Sequence, residues 1–267
     1  MSLYLFPAGE DPGPNFAELL RRVQLPIEIP VNQGVGDVRH GTTIAALRFQ
    51  GGVVMAGDRR ATEGNIIAHR SIEKVFPADR FSAVAIAGAA GPAIEMVRLF
   101  QTQLEHYEKV EGLTLSLEGK ANQLSQMVRT HLPMAMQGLG VIPLFAGWDD
   151  RRNFGRIFTY DITGGRYEET EFAATGSGGR DARTTIKLGY RDGLTRDAAV
   201  SLVVEALYQA AEEDSATGGP DPVRGIYPIV ATVDSSGFHM VPEGEVGELF
   251  GAILERRASL YRGGELS

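Results

Sequence analysis

The residues His40-Gly41-Thr42-Thr43-Ile44 mark the point where a proline-rich leader meets the first predicted strand of a globular domain. A cut between Gly41 and Thr42 would make Thr42 an N-terminal residue, with its hydroxyl and a free amine on one carbon skeleton. A threonine hydroxyl needs an adjacent proton acceptor, and an α-amine with a pKa of about 7.7–8.0 suits that role at neutral pH. While Gly41 is attached, the nitrogen is an amide. The uncut chain is therefore predicted to be an inactive precursor.

The leader, residues 1–41, holds five of the 13 prolines, so it cannot form one regular element. Asn15 and Glu18 resemble a capping box, and they predict a short helix over 16–25 with an apolar face that docks on something. An unstructured tail is the alternative interpretation.

Composition excludes several classes of function. The net charge is -8, and no run of Lys and Arg interleaves with aromatic residues, which argues against nucleic-acid binding. The chain has no cysteine, and its five histidines lack zinc-site spacing, so no metal or cofactor is predicted. No secretory signal and no apolar run approaching about 20 residues is present, so we expect a cytoplasmic protein and no membrane contact.

Beyond Thr42, the periodicity predicts one domain, 42–267, in which strands and helices are segregated. The whole chain is 43% hydrophobic, which suffices for one large core. Gln50-Gly51-Gly52 between two β-type runs indicates a hairpin, Gly91-Pro92 begins a long helix, and Ser116 precedes another. This order favours a four-layer α+β sandwich, two antiparallel sheets face to face with helices outside. The predicted strands are 43–49, 53–56, 81–87, 141–147, 156–161, 166–172, 227–233 and 238–241, and the helices include 181–188 and 196–213 before a final one carrying Val246 to Ile253.

Six motifs occur in the order found in one family. The chain resembles the β subunits of 20S proteasomes, most closely those of the bacterial, actinobacterial type. The resemblance implies an N-terminal-nucleophile hydrolase fold, the αββα sandwich, in which residues 1–41 are a self-cleaved propeptide and Thr42 is the nucleophile. The motifs are Gly41-Thr42-Thr43-Ile44, Ala56-Gly57-Asp58-Arg59-Arg60-Ala61-Thr62, Glu73-Lys74-Val75, Ala87-Gly88-Ala89-Ala90-Gly91, Gly176-Ser177-Gly178 and Asp214-Ser215-Ala216-Thr217-Gly218-Gly219.

The resemblance also implies roles for two charged residues and a glycine. Asp58 and Lys74 match a buried pair in which the ammonium lowers the proton affinity of the threonine and the carboxylate holds the ammonium charged. An ordinary salt bridge is the alternative. Gly88 matches the residue whose backbone N–H stabilises the oxyanion, although it equally fits a simple strand end.

A polar cluster supporting the amine is implied at Ser177, Asp214 and Thr217, where many relatives carry serine in place of Thr217. Without the resemblance, Asp214 would be interpreted as a surface acid at a helix end. The run Gly176-Ser177-Gly178-Gly179 lacks the third glycine of a dinucleotide loop, so nucleotide binding is rejected.

The expected activity is that of a threonine endopeptidase cleaving unfolded polypeptides after hydrophobic residues, because the positions matching the substrate pocket are all apolar. Expected partners are α subunits and other β subunits in stacked seven-membered rings, fed by an ATP-dependent unfoldase. The alternatives are a non-catalytic ring scaffold and the two-ring ATP-dependent bacterial threonine protease. The matching pocket positions are Ala61, Ile72, Phe76, Ile86, Ala90 and Ala93.

Overall fold

A computed structural model describes residues 41–64 and 66–263. The predicted leader helix over 16–25 lies outside this part of the chain. Throughout the described part, neighbouring strands within each sheet are antiparallel.

Within the described residues, sheet I contains five strands in the order β10-β1-β2-β11-β12. The predicted hairpin joins two interior strands of this sheet, with Phe49 opposite Gly52, and Gly51 adopts a φ of 98° that favours glycine. The first strand within the described residues therefore lies inside the sheet, with a neighbour on each side. The strands are β1 (Thr43–Phe49), β2 (Gly52–Gly57), β10 (Phe172–Gly176), β11 (Ile229–Asp234) and β12 (Gly237–Met240).

Sheet II also has five strands, in the order β5-β6-β7-β8-β9. A separate two-stranded ribbon connects sheet I to it along the chain. The strands of sheet II are β5 (Val75–Asp79), β6 (Ser82–Gly88), β7 (Val141–Asp149), β8 (Phe154–Tyr160) and β9 (Arg166–Glu169), and the ribbon is β3 (Ala61–Glu63) with β4 (Ile66–His69).

Helices cover the outer face of each sheet. Two pack on sheet II, α1 (Ala90–Glu111) and α2 (Leu117–Ala135), and three pack on sheet I, α3 (Gly179–Gly189), α4 (Arg196–Glu213) and α5 (Glu243–Gly263). The predicted N-cap Ser116 accepts a hydrogen bond from the Gly119 amide at 3.1 Å. The predicted four-layer sandwich is confirmed. No helix within the described residues is long and apolar enough to cross a membrane.

Alternation along the strands divides the interior into three apolar layers. On β1, Ile44 and Ala46 face sheet II, whereas Ala45 and Leu47 face the helices of sheet I. The layer between the sheets is rich in alanine, and the layer under α1 and α2 contains Phe100 and Phe145 in edge contact. Small side chains between the sheets allow the sheets to approach closely.

Two details of the predicted elements are wrong. The single strand predicted over 166–172 is two strands in different sheets, because β9 pairs with β8 while β10 crosses to pair with β1. On α1, the helical spacing of apolar residues places Tyr107 on the same face as Phe100 and Leu104, but Tyr107 is 39% exposed, and Met96 lies on the buried face instead. The ribbon β3–β4 and strand β5 were also absent from the prediction, since the strands of the ribbon have only three and four residues and β5 contains Pro77.

Candidate active site

The ends of five strands meet where Thr42 begins the domain. Strand β1 pairs with β10 on one side and β2 on the other, with Thr43 opposite Gly176 and Ile44 opposite Gly57. Antiparallel pairing therefore places the start of β1 beside the ends of both neighbours. Asp58 directly follows β2, and Ser177 follows β10. Sheet II contributes Lys74, just before β5, and Gly88, the last residue of β6.

Asp58 is fully buried and accepts four hydrogen bonds. Its Oδ1 accepts from Lys74 Nζ at 2.6 Å and the Thr43 amide at 2.8 Å, and its Oδ2 accepts from the amides of Arg60 and Gly218 at 2.9 and 2.8 Å. Each carboxylate oxygen thus has two donors, which fixes the orientation of the carboxylate. The predicted Asp58–Lys74 pair is present in the structure.

Lys74 is also buried, and its ammonium points toward the junction. Besides Asp58, Nζ donates to the carbonyl oxygen of Arg60 at 2.6 Å and to that of Gly41 at 3.5 Å. Burial lowers the pKa of Lys74, the Asp58 carboxylate opposes that shift, and the nearby Arg60 charge lowers the pKa further. Lys74 Nζ therefore lies within reach of the Gly41 carbonyl oxygen, and its ammonium is easier to deprotonate than that of an ordinary lysine.

On the other side of the junction, Ser177 contacts Thr42 with both backbone and side chain. The Thr42 nitrogen donates to Ser177 Oγ at 3.3 Å, and the Ser177 amide donates to the Thr42 carbonyl at 2.8 Å. Thr42 itself is 5% exposed. Ser177 Oγ in turn donates a hydrogen bond to Asp214 Oδ2. The Asp214 carboxylate therefore holds the serine hydroxyl that accepts from the Thr42 nitrogen.

Asp214 caps the C-terminal end of α4 and lies half-buried against three donors. Besides Ser177, it accepts from Thr217 Oγ1 at 2.6 Å and from the Ala216 amide at 3.1 Å. Burial would raise the pKa of Asp214, but these hydrogen bonds outweigh it and hold the pKa below its usual value. The structure thus brings Ser177, Asp214 and Thr217 together, as the resemblance implies.

Gly88 is the last residue of β6, and it also lines the same cleft as Thr42. Its φ is 118°, and a Cβ there would lie 2.1 Å from the Gly140 carbonyl oxygen. A side chain would force the end of β6 away from the chain at Gly140. The position accordingly requires glycine.

A small apolar cavity of about 20 Å³ adjoins Thr42. Five of the six residues predicted for the substrate pocket line it, but Phe76 does not, and Ile94 on α1 does. On β5, Val75 points between the sheets and Phe76 points into the layer under α1, which removes it from the cavity. The predicted residues that line it are Ala61, Ile72, Ile86, Ala90 and Ala93.

Sequence reasoning missed Thr43, which lies fully buried inside the site. Its Oγ1 is 2.6 Å from Thr217 Oγ1 and accepts from the Gly178 amide at 2.9 Å. The signal for it in the sequence is the pair of adjacent threonines at the junction. Among the described residues, no group of three or more His, Asp or Glu side chains has the geometry to hold a metal ion.

The αββα sandwich, with a buried threonine at the head of β1, has the architecture of the N-terminal-nucleophile hydrolase fold. A family model described as proteasome subunit matches residues 38–223, and the chain belongs to that family.

Its relatives include three chains named proteasome subunit beta. The one from Acidimicrobium ferrooxidans is 64% identical over 253 residues, which cover 93% of this chain and 92% of the relative. Those from Streptomyces griseus and Acidothermus cellulolyticus are 60% and 56% identical, each over 86% of this chain and over 82% and 81% of their own lengths. The resemblance to actinobacterial β subunits is confirmed.

Proposed function

We propose that this chain is the catalytic β subunit of a 20S proteasome core, a threonine-type endopeptidase made as a precursor. One observation carries the proposal. Both sides of the Gly41–Thr42 peptide bond are held by groups suited to cleaving it, with Lys74 Nζ 3.5 Å from the Gly41 oxygen and Ser177 Oγ 3.3 Å from the Thr42 nitrogen. A scaffold would have no need of such an arrangement around one buried peptide bond.

In the maturation step, Thr42 Oγ attacks the Gly41 carbonyl carbon. The Lys74 ammonium stabilises the charge that develops on the Gly41 oxygen. The carbon–nitrogen bond breaks, the proton of the hydroxyl passes to the nitrogen, and an ester with a free α-amine is left. Water then hydrolyses the ester, so that residues 1–41 leave with a carboxylate and Thr42 becomes the N-terminus.

In turnover, the freed amine accepts the proton of the Thr42 hydroxyl while Oγ attacks a substrate carbonyl. Lys74 lowers the proton affinity of both groups, and the Gly88 N–H stabilises the oxyanion, a contribution typically worth about 10²- to 10³-fold in rate. The amine next delivers the proton to the leaving nitrogen, and water hydrolyses the acyl ester. Ser177, supported by Asp214, orients the amine throughout.

The preferred cleavage site follows from the cavity beside Thr42. Aliphatic and alanine side chains form most of its wall, which favours an apolar residue before the scissile bond. Fluorogenic peptides ending in Leu or Tyr are expected to be cleaved faster than matched peptides ending in Glu or Arg. Equal or faster cleavage after Glu or Arg would contradict this specificity.

Membership of the family implies a core particle built with other subunits. We place the chain in the two inner of four stacked seven-membered rings, capped by α-subunit rings, in the cytoplasm. An ATP-dependent unfoldase would thread polypeptides into this chamber, so that access rather than the site selects substrates. The two-ring bacterial protease is the weaker alternative, because the relatives described above are named as proteasome subunits.

Intact-mass measurement of Thr42→Ala and Thr42→Ser variants tests the proposal. The wild-type chain is expected to begin at Thr42 and to hydrolyse peptides. Thr42→Ser keeps a hydroxyl and should still be processed, whereas Thr42→Ala should retain residues 1–41 and be inactive. An active wild-type chain that still begins at Met1 would refute the mechanism, and unchanged processing in Thr42→Ala would favour the scaffold.

A further inference from the structure

Thr43, the residue after the nucleophile, makes more contacts within the site than its neighbours in β1. Its backbone N–H donates to Asp58 Oδ1 at 2.8 Å, while its hydroxyl lies 2.6 Å from Thr217 Oγ1. One residue thereby contacts both the acid of the Asp58–Lys74 pair and the cluster that supports the amine. We propose that Thr43 is a positioning residue whose hydroxyl completes a one-way hydrogen-bond chain holding Asp214 and Ser177 beside Thr42. This inference rests on the proposed role of Thr42.

The direction of each hydrogen bond in the chain is fixed by its two ends. The Asp214 carboxylate is ionised and can only accept, so the single hydroxyl hydrogen of Thr217 is donated to Asp214. At the other end, the Gly178 amide can only donate, and it donates to Thr43 Oγ1 at 2.9 Å. The hydrogen atom between the two threonines therefore belongs to Thr43. The chain runs from Gly178 through Thr43 and Thr217 to Asp214, which also receives the Ser177 hydroxyl.

Gly178 supplies an independent sign that space is reserved for this pair. A Cβ at position 178 would lie 2.7 Å from Thr43 Oγ1 and 2.8 Å from Thr217 Oγ1. The φ of Gly178 is -90°, a value that any residue adopts, so the backbone does not require glycine there. The glycine is needed because the two hydroxyls occupy the space where a side chain would go.

Packing alone does not require the Thr43 hydroxyl, since valine has nearly the same shape. Removing the hydroxyl takes away the hydrogen atom that Thr217 Oγ1 accepts, and Thr217 is then free to turn away from Asp214. A carboxylate with fewer donors is more basic and raises the proton affinity of the amine that it reaches through Ser177. The predicted consequence is a change in the protonation of the amine as well as a loss of rate.

The experiment compares Thr43→Val, Thr43→Ser and Thr232→Val in the full chain, assembled with its partner subunits. Thr232 is a buried threonine on β11 of the same sheet, remote from the cluster, and controls for the loss of a buried hydroxyl. Thr43→Val is expected to lower kcat about 10- to 100-fold, by analogy with the loss seen when a hydrogen-bond partner that orients a metal ligand is removed. KM should stay unchanged, and the acidic limb of the kcat/KM profile should move to higher pH. Thr43→Ser should restore both kcat and the wild-type position of the acidic limb.

A Thr43→Val enzyme with wild-type kcat and pH profile would overturn the proposal, as would a loss of rate that Thr43→Ser fails to restore. If Thr43→Val does not assemble, Thr217→Val removes the same contact from the other side and should give the same two shifts. Where both single variants assemble, the double variant should be no slower than the worse single one, because both break one chain. A wild-type chain that is neither processed nor active would instead refute the proposed function.

Discussion

Gly41 packs so closely against Ala216 that a Cβ at position 41 would lie 2.0 Å from the Ala216 Cβ. The Ala216 carbonyl oxygen and Cα would lie at 2.6 and 2.7 Å, so the obstruction includes backbone. We expect Gly41→Ala to displace the junction and to slow removal of the leader strongly, as seen by intact mass over time. Because backbone atoms remain, adding Ala216→Gly should not restore processing. Normal processing of Gly41→Ala would show that the junction is not confined as described.

Asp58 offers a test with a matched control elsewhere in the chain. Asp58→Asn leaves the buried Lys74 without its counterion, and losing one partner of a buried pair typically costs about 3–5 kcal/mol. Asp79→Asn removes the partner of Lys120, which is equally buried but remote from Thr42. Denaturant titration should show both variants destabilised. Intact mass should show unprocessed precursor only for Asp58→Asn, and equal processing of the two variants would reduce Asp58 to a structural role.

At alkaline pH, we expect kcat/KM to fall and the free energy of unfolding to rise as Lys74 loses its proton. Its folded-state pKa is below the 10.5 of an unfolded lysine, chiefly because burial disfavours the charge. Between those two pKa values the unfolded chain binds more protons, so stability rises with pH while loss of the ammonium lowers kcat/KM. Lys74→Met should remove this contribution to the stability slope. A wild-type rate that stays flat up to pH 10.5 would argue against a charged Lys74 in the mechanism.

At this scale the sequence predicted the junction from local chemistry but not its surroundings. Two threonines after a glycine indicate a latent nucleophile without any structure. The two amides that complete the shell of Asp58, from Arg60 and Gly218, carry no signature, because any residue has an amide. Thr43 was overlooked for a related reason, since its role depends on a residue 174 positions away.

At the scale of elements, the first turn of α1 forms one wall of the cavity next to Thr42. Ile94→Ala would enlarge this cavity from the helix side. We expect the ratio of cleavage after Phe to cleavage after Val to rise, given that one methylene in an apolar pocket is worth about 10- to 200-fold. Leu99→Ala removes a similar side chain from the exposed face of α1 and should leave the ratio of kcat/KM values for the two fluorogenic peptides unchanged. An unchanged ratio in both variants would show that α1 does not set specificity.

Helices and the first hairpin were predictable because their signals are local. The bounds of α4 match the predicted helix over 196–213, and Thr195 caps it by accepting from the Ala198 amide at 3.3 Å. The prediction of one strand over 166–172 was wrong because the chain passes from sheet II to sheet I at Thr170 and Glu171. The polar residues there are also typical of an edge strand, so the sequence does not show that the chain changes sheets. Only the pairing of β9 with β8 and of β10 with β1 shows it. The prediction that Phe76 lines the substrate pocket was also wrong, because both faces of β5 are covered.

At the scale of the whole molecule, the site is assembled from two sheets that contribute different groups. Sheet I supplies Thr42, Asp58 and Ser177, and sheet II supplies Lys74 and Gly88. The distance between the sheets therefore sets the 2.6 Å contact of Asp58 with Lys74. No sequence pattern encodes that spacing. Only the resemblance to proteasome β subunits predicted that these residues would meet.

The alanine-rich layer between the sheets should accordingly control activity as well as stability. Ala85 is fully buried in that layer, whereas Ala206 is equally buried under the helices of sheet I. Adding bulk to a packed core typically costs about 1–3 kcal/mol, so Ala85→Leu and Ala206→Leu should lower the free energy of unfolding to a similar extent. Only Ala85→Leu pushes the sheets apart and moves Lys74 away from Asp58, so only this variant should lose kcat and process its leader slowly. Denaturant titration, intact mass and peptide hydrolysis on the two variants separate these effects, and equal losses of kcat would mean that the intersheet spacing does not govern the site.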